Sequence, residues 1–251
     1  MIQLQNKLTE NMEVHHHPKV EKKNFKEYFL EFIMIFLAVT LGFFAENVRE
    51  HLTSNAIEKE YMQSIVSDLK TDTAAIAQAI DDWSQGNKDI VAIGQAMQVH
   101  PPDVKNFYRS LSEDFWHFDL FKYDNKTVEE LKSSGNFRLI RNKKIESLIM
   151  SYDLDMKYIL IQEQDVKDVM NASKLAETKI ADYSQIHFFK FNNDSSYTLL
   201  NDDRQLIGEY HNKLIAFEKL AGYHEYLFRQ IQVKAKSLLK VIQKEYHLSD
   251  E

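Results

Sequence analysis

Residues 32–45 read FIMIFLAVTLGFFA, fourteen consecutive positions without a charge. Adding Tyr28, Phe29 and Leu30 lengthens the apolar run to eighteen residues holding one acid, Glu31. At about 1.5 Å per residue such a helix measures about 27 Å, close to the roughly 30 Å hydrocarbon core of a bilayer. Bulky side chains lie on every side of it, five Phe among residues 29–44 included. A helix lying in the membrane surface needs a broad polar face, and this one has none. The run predicts a transmembrane helix over residues 25–48.

The flanks orient that helix. Lys19, Lys22, Lys23 and Lys26 precede the span, whereas Arg49 and Lys59 are the only basic residues among the fifteen after Ala45. Cytoplasmic flanks collect Lys and Arg, so the N-terminus is expected in the cytoplasm. The stretch Phe43-Phe44-Ala45-Glu46 lacks the small-x-small pattern of a cleavage site, which makes the segment an uncleaved signal-anchor. Residues 1–24 are then a disordered cytoplasmic tail, and residues 49–251 an extracytoplasmic helical domain.

Within the span, Glu31, Ile35, Ala38, Gly42 and Ala45 recur at steps of four and three and share one helix face. Small residues let helix backbones approach in lipid, and Ala38-x-x-x-Gly42 fits that pattern. An acid entering an apolar run is unfavourable unless it is protonated, paired or near the headgroups. Glu31 therefore has two readings: a carboxylate reaching the cytoplasmic interface beside Lys26, or a group used in oligomer contact or ion movement.

Scarcity of helix breakers governs the rest of the chain. Six Gly and three Pro stand in 251 residues, where average usage would place roughly 12% of the two together. Long helices and few turns follow, and an all-α fold: the transmembrane helix, then a long-helix bundle resembling a coiled coil. Residues 46–83 contain neither Gly nor Pro and carry Ile57, Tyr61, Ile65, Leu69, Ile76 and Ile80 near helical spacing. A break is expected at Ser84-Gln85-Gly86-Asn87, with a second helix over residues 88–99. His100-Pro101-Pro102-Asp103 marks a turn, and Asp103 is placed to cap a helix over residues 104–112. Residues 115–124, aromatic and without period, read as an extended crossing.

Residues 127–132 predict a short helix halted at Ser133-Ser134-Gly135, with Gly135 as a left-handed C-cap. Asn142 is positioned to cap the next helix, expected from residue 143 to about 183 with Ile145, Leu148, Tyr152, Met156, Ile159, Val166 and Met170 on its apolar face. Residues 184–202 form a second connection. In the last helix Ile207, Tyr210, Leu214, Phe217, Ala221, His224, Phe228, Ile231, Ala235, Leu238 and Ile242 alternate steps of three and four without a slip. That spacing belongs to a coiled coil or long bundle, and the mixture of large and small residues suits an uneven core.

Few chemistries remain open. The chain has no Cys, which removes disulfides, thiolate metal sites and thiol nucleophiles. Its 31 basic and 38 acidic residues give a formal charge of -7, against the basic footprint of a nucleic-acid partner. Phosphate loops, nucleophile elbows and His-Glu-x-x-His pairs are all missing from the sequence. The nearest approach to a di-iron Glu-x-x-His pair is Asp114 with His117, standing alone in the aromatic stretch. His15, His16 and His17 form a run that takes metal adventitiously, lacking supporting groups. His224, on a core stripe, reads as a packing residue. No catalytic residue, cofactor or metal site is expected, and the chain is not read as an enzyme.

Several of these motifs recur together. His15-His16-His17-Pro18, the stretch Lys22-Lys23-Asn24-Phe25-Lys26-Glu27-Tyr28-Phe29-Leu30-Glu31-Phe32, the following FLAVTLGFFAE, and Thr127-Val128-Glu129-Glu130-Leu131-Lys132-Ser133-Ser134-Gly135-Asn136 stand in this order. Residues 15–150 thereby resemble a widespread family of single-pass membrane proteins of Gram-negative bacteria with a helical extracytoplasmic domain of unknown function. The resemblance implies a topology and no activity.

The expected role is that of a membrane-anchored structural or interaction protein of the bacterial envelope that self-associates. The lipid bilayer is one partner, and a second copy or another envelope protein the other. The alternative is a transport-associated or ion-conducting oligomer using Glu31.

Overall fold

The computed structural model describes residues 24–112, 121–186, 191–193 and 196–248, and all regular structure among them is helical. The chain divides into two compact units, Met1–Thr53 and Ser54–Glu251. Helix α1, Phe25–Gln98, crosses that division. Its first turn is closed by Asn24, whose carbonyl accepts from the Glu27 and Tyr28 amides at 2.8 and 3.2 Å. The Glu27 carboxylate reaches back to the Asn24 amide at 3.1 Å, the reciprocal arrangement that defines a helix start. The tail residues His15, His16 and His17 and the first three of the four flanking lysines lie outside the described residues.

In the first unit the N-terminal apolar stretch of α1 is long and apolar enough to cross a membrane, and none of it is buried by protein.

The expected break at residues 84–87 is absent, and α1 continues to Gln98. A single Gly costs a helix only about 1 kcal/mol, which packing readily offsets. Here Gly86 is buried, Asn87 donates to the Glu225 carboxylate at 2.7 Å, and Gln85 bonds one turn ahead to Asp89 at 3.1 Å.

The second unit continues with α2 (Val104–Ser112), α3 (Lys126–Ser134), a 3-10 turn at Asn136–Leu139, α4 (Lys143–Glu177), a 3-10 turn at Tyr183–Gln185 and α5 (Arg204–Tyr246). The caps are local: Asp103 accepts from the Asn106 amide at 3.1 Å, Asn142 from those of Lys144 and Ile145, and Asp203 from those of Gln205 and Leu206. Gly135 takes φ +70° and ends α3. The Asn125 side chain makes no capping bond to α3. Asp68 of α1 does so in trans, accepting from the Thr127 amide at 3.2 Å.

Three long helices share one core. Met62 to Met97 of α1, Ile145 to Val166 of α4 and the inward row of α5 belong to a single buried cluster, joined by Phe107, Tyr108 and Leu111 of α2. Pairings along the cluster give the directions. Glu58 meets Arg141 and Asp72 meets Tyr152, so α1 and α4 run the same way. Trp83 packs on His224 and Gly94 lies against Leu214, so α5 runs antiparallel to α1, and hence to α4. Phe121 and Tyr123 are buried in irregular chain leading into α3, while residues 113–120, with Asp114 and His117, lie outside the described residues.

Helix α4 stops at Glu177, about six residues before the expected end. Ile180 and Ala181 are buried just beyond it, and Leu200 donates its amide to the Ile180 carbonyl at 2.9 Å. A straight helix would not deliver these groups together. On the apolar face of α4, Leu148 and Met170 are half-buried, and Ile149 is buried in the core.

Candidate functional site

The face of the span predicted from spacing is open. Glu31, Ile35, Ala38, Gly42 and Ala45 are all exposed, and a Cβ placed on Gly42 would meet no atom within 4 Å. The aromatic row of Phe29, Phe32, Phe36, Val39 and Phe43 is likewise more than half exposed at each position.

The eleven-residue stripe of α5, from Ile207 through Tyr210, Leu214, Phe217, Ala221, His224, Phe228, Ile231, Ala235 and Leu238 to Ile242, is buried at every position. Each large apolar side chain in such a row contributes about 1.5–3 kcal/mol by leaving water. His224 is the polar member. Its ring lies edge-on to Trp83 at 4.6 Å and to Phe228 at 4.9 Å, and neither ring nitrogen has a hydrogen-bond partner among the described residues. Burial, with a smaller push from the Lys167 charge, lowers its pKa to about 4. The imidazole is neutral at ordinary pH.

Among the described residues the core also holds five carboxylates that spacing did not reveal; Glu163 pairs with Lys167 at 3.2 Å, and the other four are held by tyrosines. Glu58 of α1 accepts from the Tyr246 hydroxyl at 2.7 Å and from the backbone and side chain of Arg141 at 2.9 and 3.0 Å. Burial opposes the Glu58 charge, yet these bonds outweigh it and hold the carboxyl below its ordinary pKa. Asp72 accepts from the Tyr152 hydroxyl at 2.9 Å and the Asp124 amide at 2.9 Å. There burial wins and raises the pKa to about 6. Asp153 of α4 accepts from Tyr123 at 3.2 Å and from Lys132 at 2.6 Å. Glu177, with no exposed surface, accepts from Tyr183 at 2.5 Å and Tyr210 at 3.1 Å, and burial raises it to about 7.

Asp72 and Asp153 share one level, where the Tyr123 and Tyr152 rings lie 6.0 Å apart, while Glu58 and Glu177 are held by separate tyrosines elsewhere along the helices. General acid–base chemistry needs a proton donor or acceptor facing a substrate. Here the hydroxyls and carboxylates face one another, an arrangement that sets which turn of one helix meets which turn of the next. Burial and the adjacent carboxylate push the Tyr152 and Tyr210 hydroxyls upward, so both act as donors. Among the described residues no group of three or more His, Asp or Glu is arranged to hold a metal ion.

The signal for this layer was present but easily misread. An isolated acid at a core-facing position of a helix reads as solvated surface unless its partner, 33 to 188 residues away in the pairs Glu177–Tyr210 and Glu58–Tyr246, is known. No family model, curated protein or solved structure matches the chain.

Proposed function

We propose that the protein is a membrane-anchored structural and interaction protein of the bacterial envelope. Residues 25–48 span the inner membrane as an uncleaved signal-anchor with the N-terminus in the cytoplasm, and a periplasmic helical bundle follows. The observation that carries this reading is the bare apolar surface on all sides of the first unit's helix: Leu30, Met34, Leu41 and Phe43 are each more than 60% exposed. A protein partner covers one face of a helix, whereas lipid covers all of them. The lysines before the span support the orientation. The small residues Ala38 and Gly42, with no atom of the described residues within 4 Å of a Cβ placed on Gly42, support self-association in the membrane. The likeness of residues 15–150 to single-pass envelope proteins agrees with this reading.

A reporter active only outside the cytoplasm tests the topology. It is expected to work when fused after Glu251 and to fail when fused before Lys19, with the protein resisting alkaline extraction from membranes. The reverse reporter pattern, or release by alkali, overturns the proposal.

A further inference from the structure

Glu177 is the last residue of α4, and its carboxyl sits where the chain turns toward α5. One oxygen accepts from Tyr183 in the connection and the other from Tyr210 on α5. The same turn is tied elsewhere. Tyr108 of α2 donates to the Thr198 carbonyl at 3.0 Å and accepts from the Asp182 amide at 2.7 Å. Gln185 exchanges bonds with Thr198, donating to its carbonyl at 2.9 Å and accepting from its amide at 3.0 Å. The described parts of the connection, residues 178–186 and 196–203, thus hang from α2 through Tyr108 and from α4 through Glu177.

We propose that Glu177 is a proton-operated latch: residues 178–186 and 196–203 are held in place while the carboxyl is protonated and loosen when it ionises. The two states differ in how well burial suits them. A protonated carboxyl can donate to the Tyr183 oxygen while accepting from Tyr210, and Tyr183, 42% exposed, can then turn its own proton toward water. An ionised carboxyl keeps both tyrosine donors but leaves a charge in the core. The groups facing it are Lys174 one turn back on α4, Tyr183 and Asp182 in the connection, Tyr210 on α5 and Tyr108 on α2. Lys174 is the one cation among these, and burial weakens its own charge. Opening of the connection gives the carboxylate to water. Burial, opposed by the tyrosine bonds and Lys174, places the titration near neutrality, at about 7, where modest pH changes act on it.

Hydrogen exchange of the full-length chain in mild detergent between pH 5.5 and 8.5 tests the latch, with rates corrected for base catalysis. Protection in residues 178–186 and 196–203 is expected to fall by up to about tenfold per pH unit as pH rises from 5.5 to the midpoint at about 7 and to level off above it, while residues 62–97 stay unchanged. Glu177→Gln, a permanent neutral mimic, is expected to abolish the decline. Protection independent of pH in the parent, or the same decline in Glu177→Gln, overturns the proposal. Tyr183→Phe gives a second reading at a partly exposed position: losing a donor to the ionised form is expected to move the midpoint to higher pH. A midpoint that stays in place overturns the latch even if Glu177→Gln does not fold.

Discussion

Tyr152 of α4 donates its hydroxyl to Asp72 of α1 at 2.9 Å, with both side chains buried. This bond ties two helices that run in the same direction without a short loop between them. Apolar rows with regular spacing can slide by a turn and still bury similar area. A hydroxyl that must meet one carboxylate cannot slide, so the buried pairs select one register at some expense in stability.

Tyr152→Phe is expected to destabilise the chain by about 1–3 kcal/mol, because it leaves a buried carboxylate oxygen without its donor. Asp72→Asn is expected to be milder, since an amide oxygen still accepts and no charge is buried. The Asp72 pKa is raised from 3.8 to about 6, so the folded chain holds the extra proton between those values and the parent's stability falls as pH rises through that window. Asp72→Asn removes that slope. Urea unfolding of both variants at pH 4.5 and 7 checks the order, and Asp72→Asn proving the more damaging at neutral pH refutes it.

His224 supplies the opposite sign. Its pKa falls from 6.5 in the unfolded chain to about 4, so the unfolded state binds the extra proton in that window and stability rises with pH across it. His224→Leu is expected to remove this slope, which is at most about 1.4 kcal/mol per pH unit, and to raise stability at neutral pH by about 1 kcal/mol. Thermal unfolding at pH 5 and 7 is the measurement. A variant that melts below its parent at neutral pH shows that the imidazole nitrogens are satisfied.

Association in the membrane is read from Gly42→Leu and Glu31→Gln. Gly42 has no neighbour within 4 Å of its missing Cβ, so a larger residue leaves the single chain's fold intact. Gly42→Leu is expected to weaken self-association in mild detergent by holding two spans apart, whereas Glu31→Gln weakens it only where charge pairing contributes. Analytical ultracentrifugation over a wide concentration range decides it. Unchanged oligomers in Gly42→Leu move the contact away from this face.

The helices were legible wherever spacing repeats. The row from Ile207 to Ile242 could be read because each step of three or four keeps one face inward, and Gly135 and Asn142 because their backbone roles admit few residue types. Gly86 misled because propensity is a local preference, outweighed here by the burial of Gly86 and the bond from Asn87 to Glu225 of α5. The end of α4 was hidden because neither Gly nor Pro marks it; the turn is set by Glu177 and its two tyrosines, which spacing cannot connect. Buried acids such as Glu58, Asp72 and Asp153 are invisible for the same reason, since their burial depends on partners distant in the chain.

The direction of the three long helices imposes an order of manufacture. Helix α5, antiparallel to the other two, adds its inward row to the buried cluster that holds Met62, Ile76 and Ile90 of α1, and it is synthesised after both neighbours. At roughly 5–20 residues per second of translation, the inward row of α1 is finished several seconds before the first turn of α5 exists. The nascent chain therefore lacks the last wall of its core during that interval. The core is completed only once the inward row of α5 has been made.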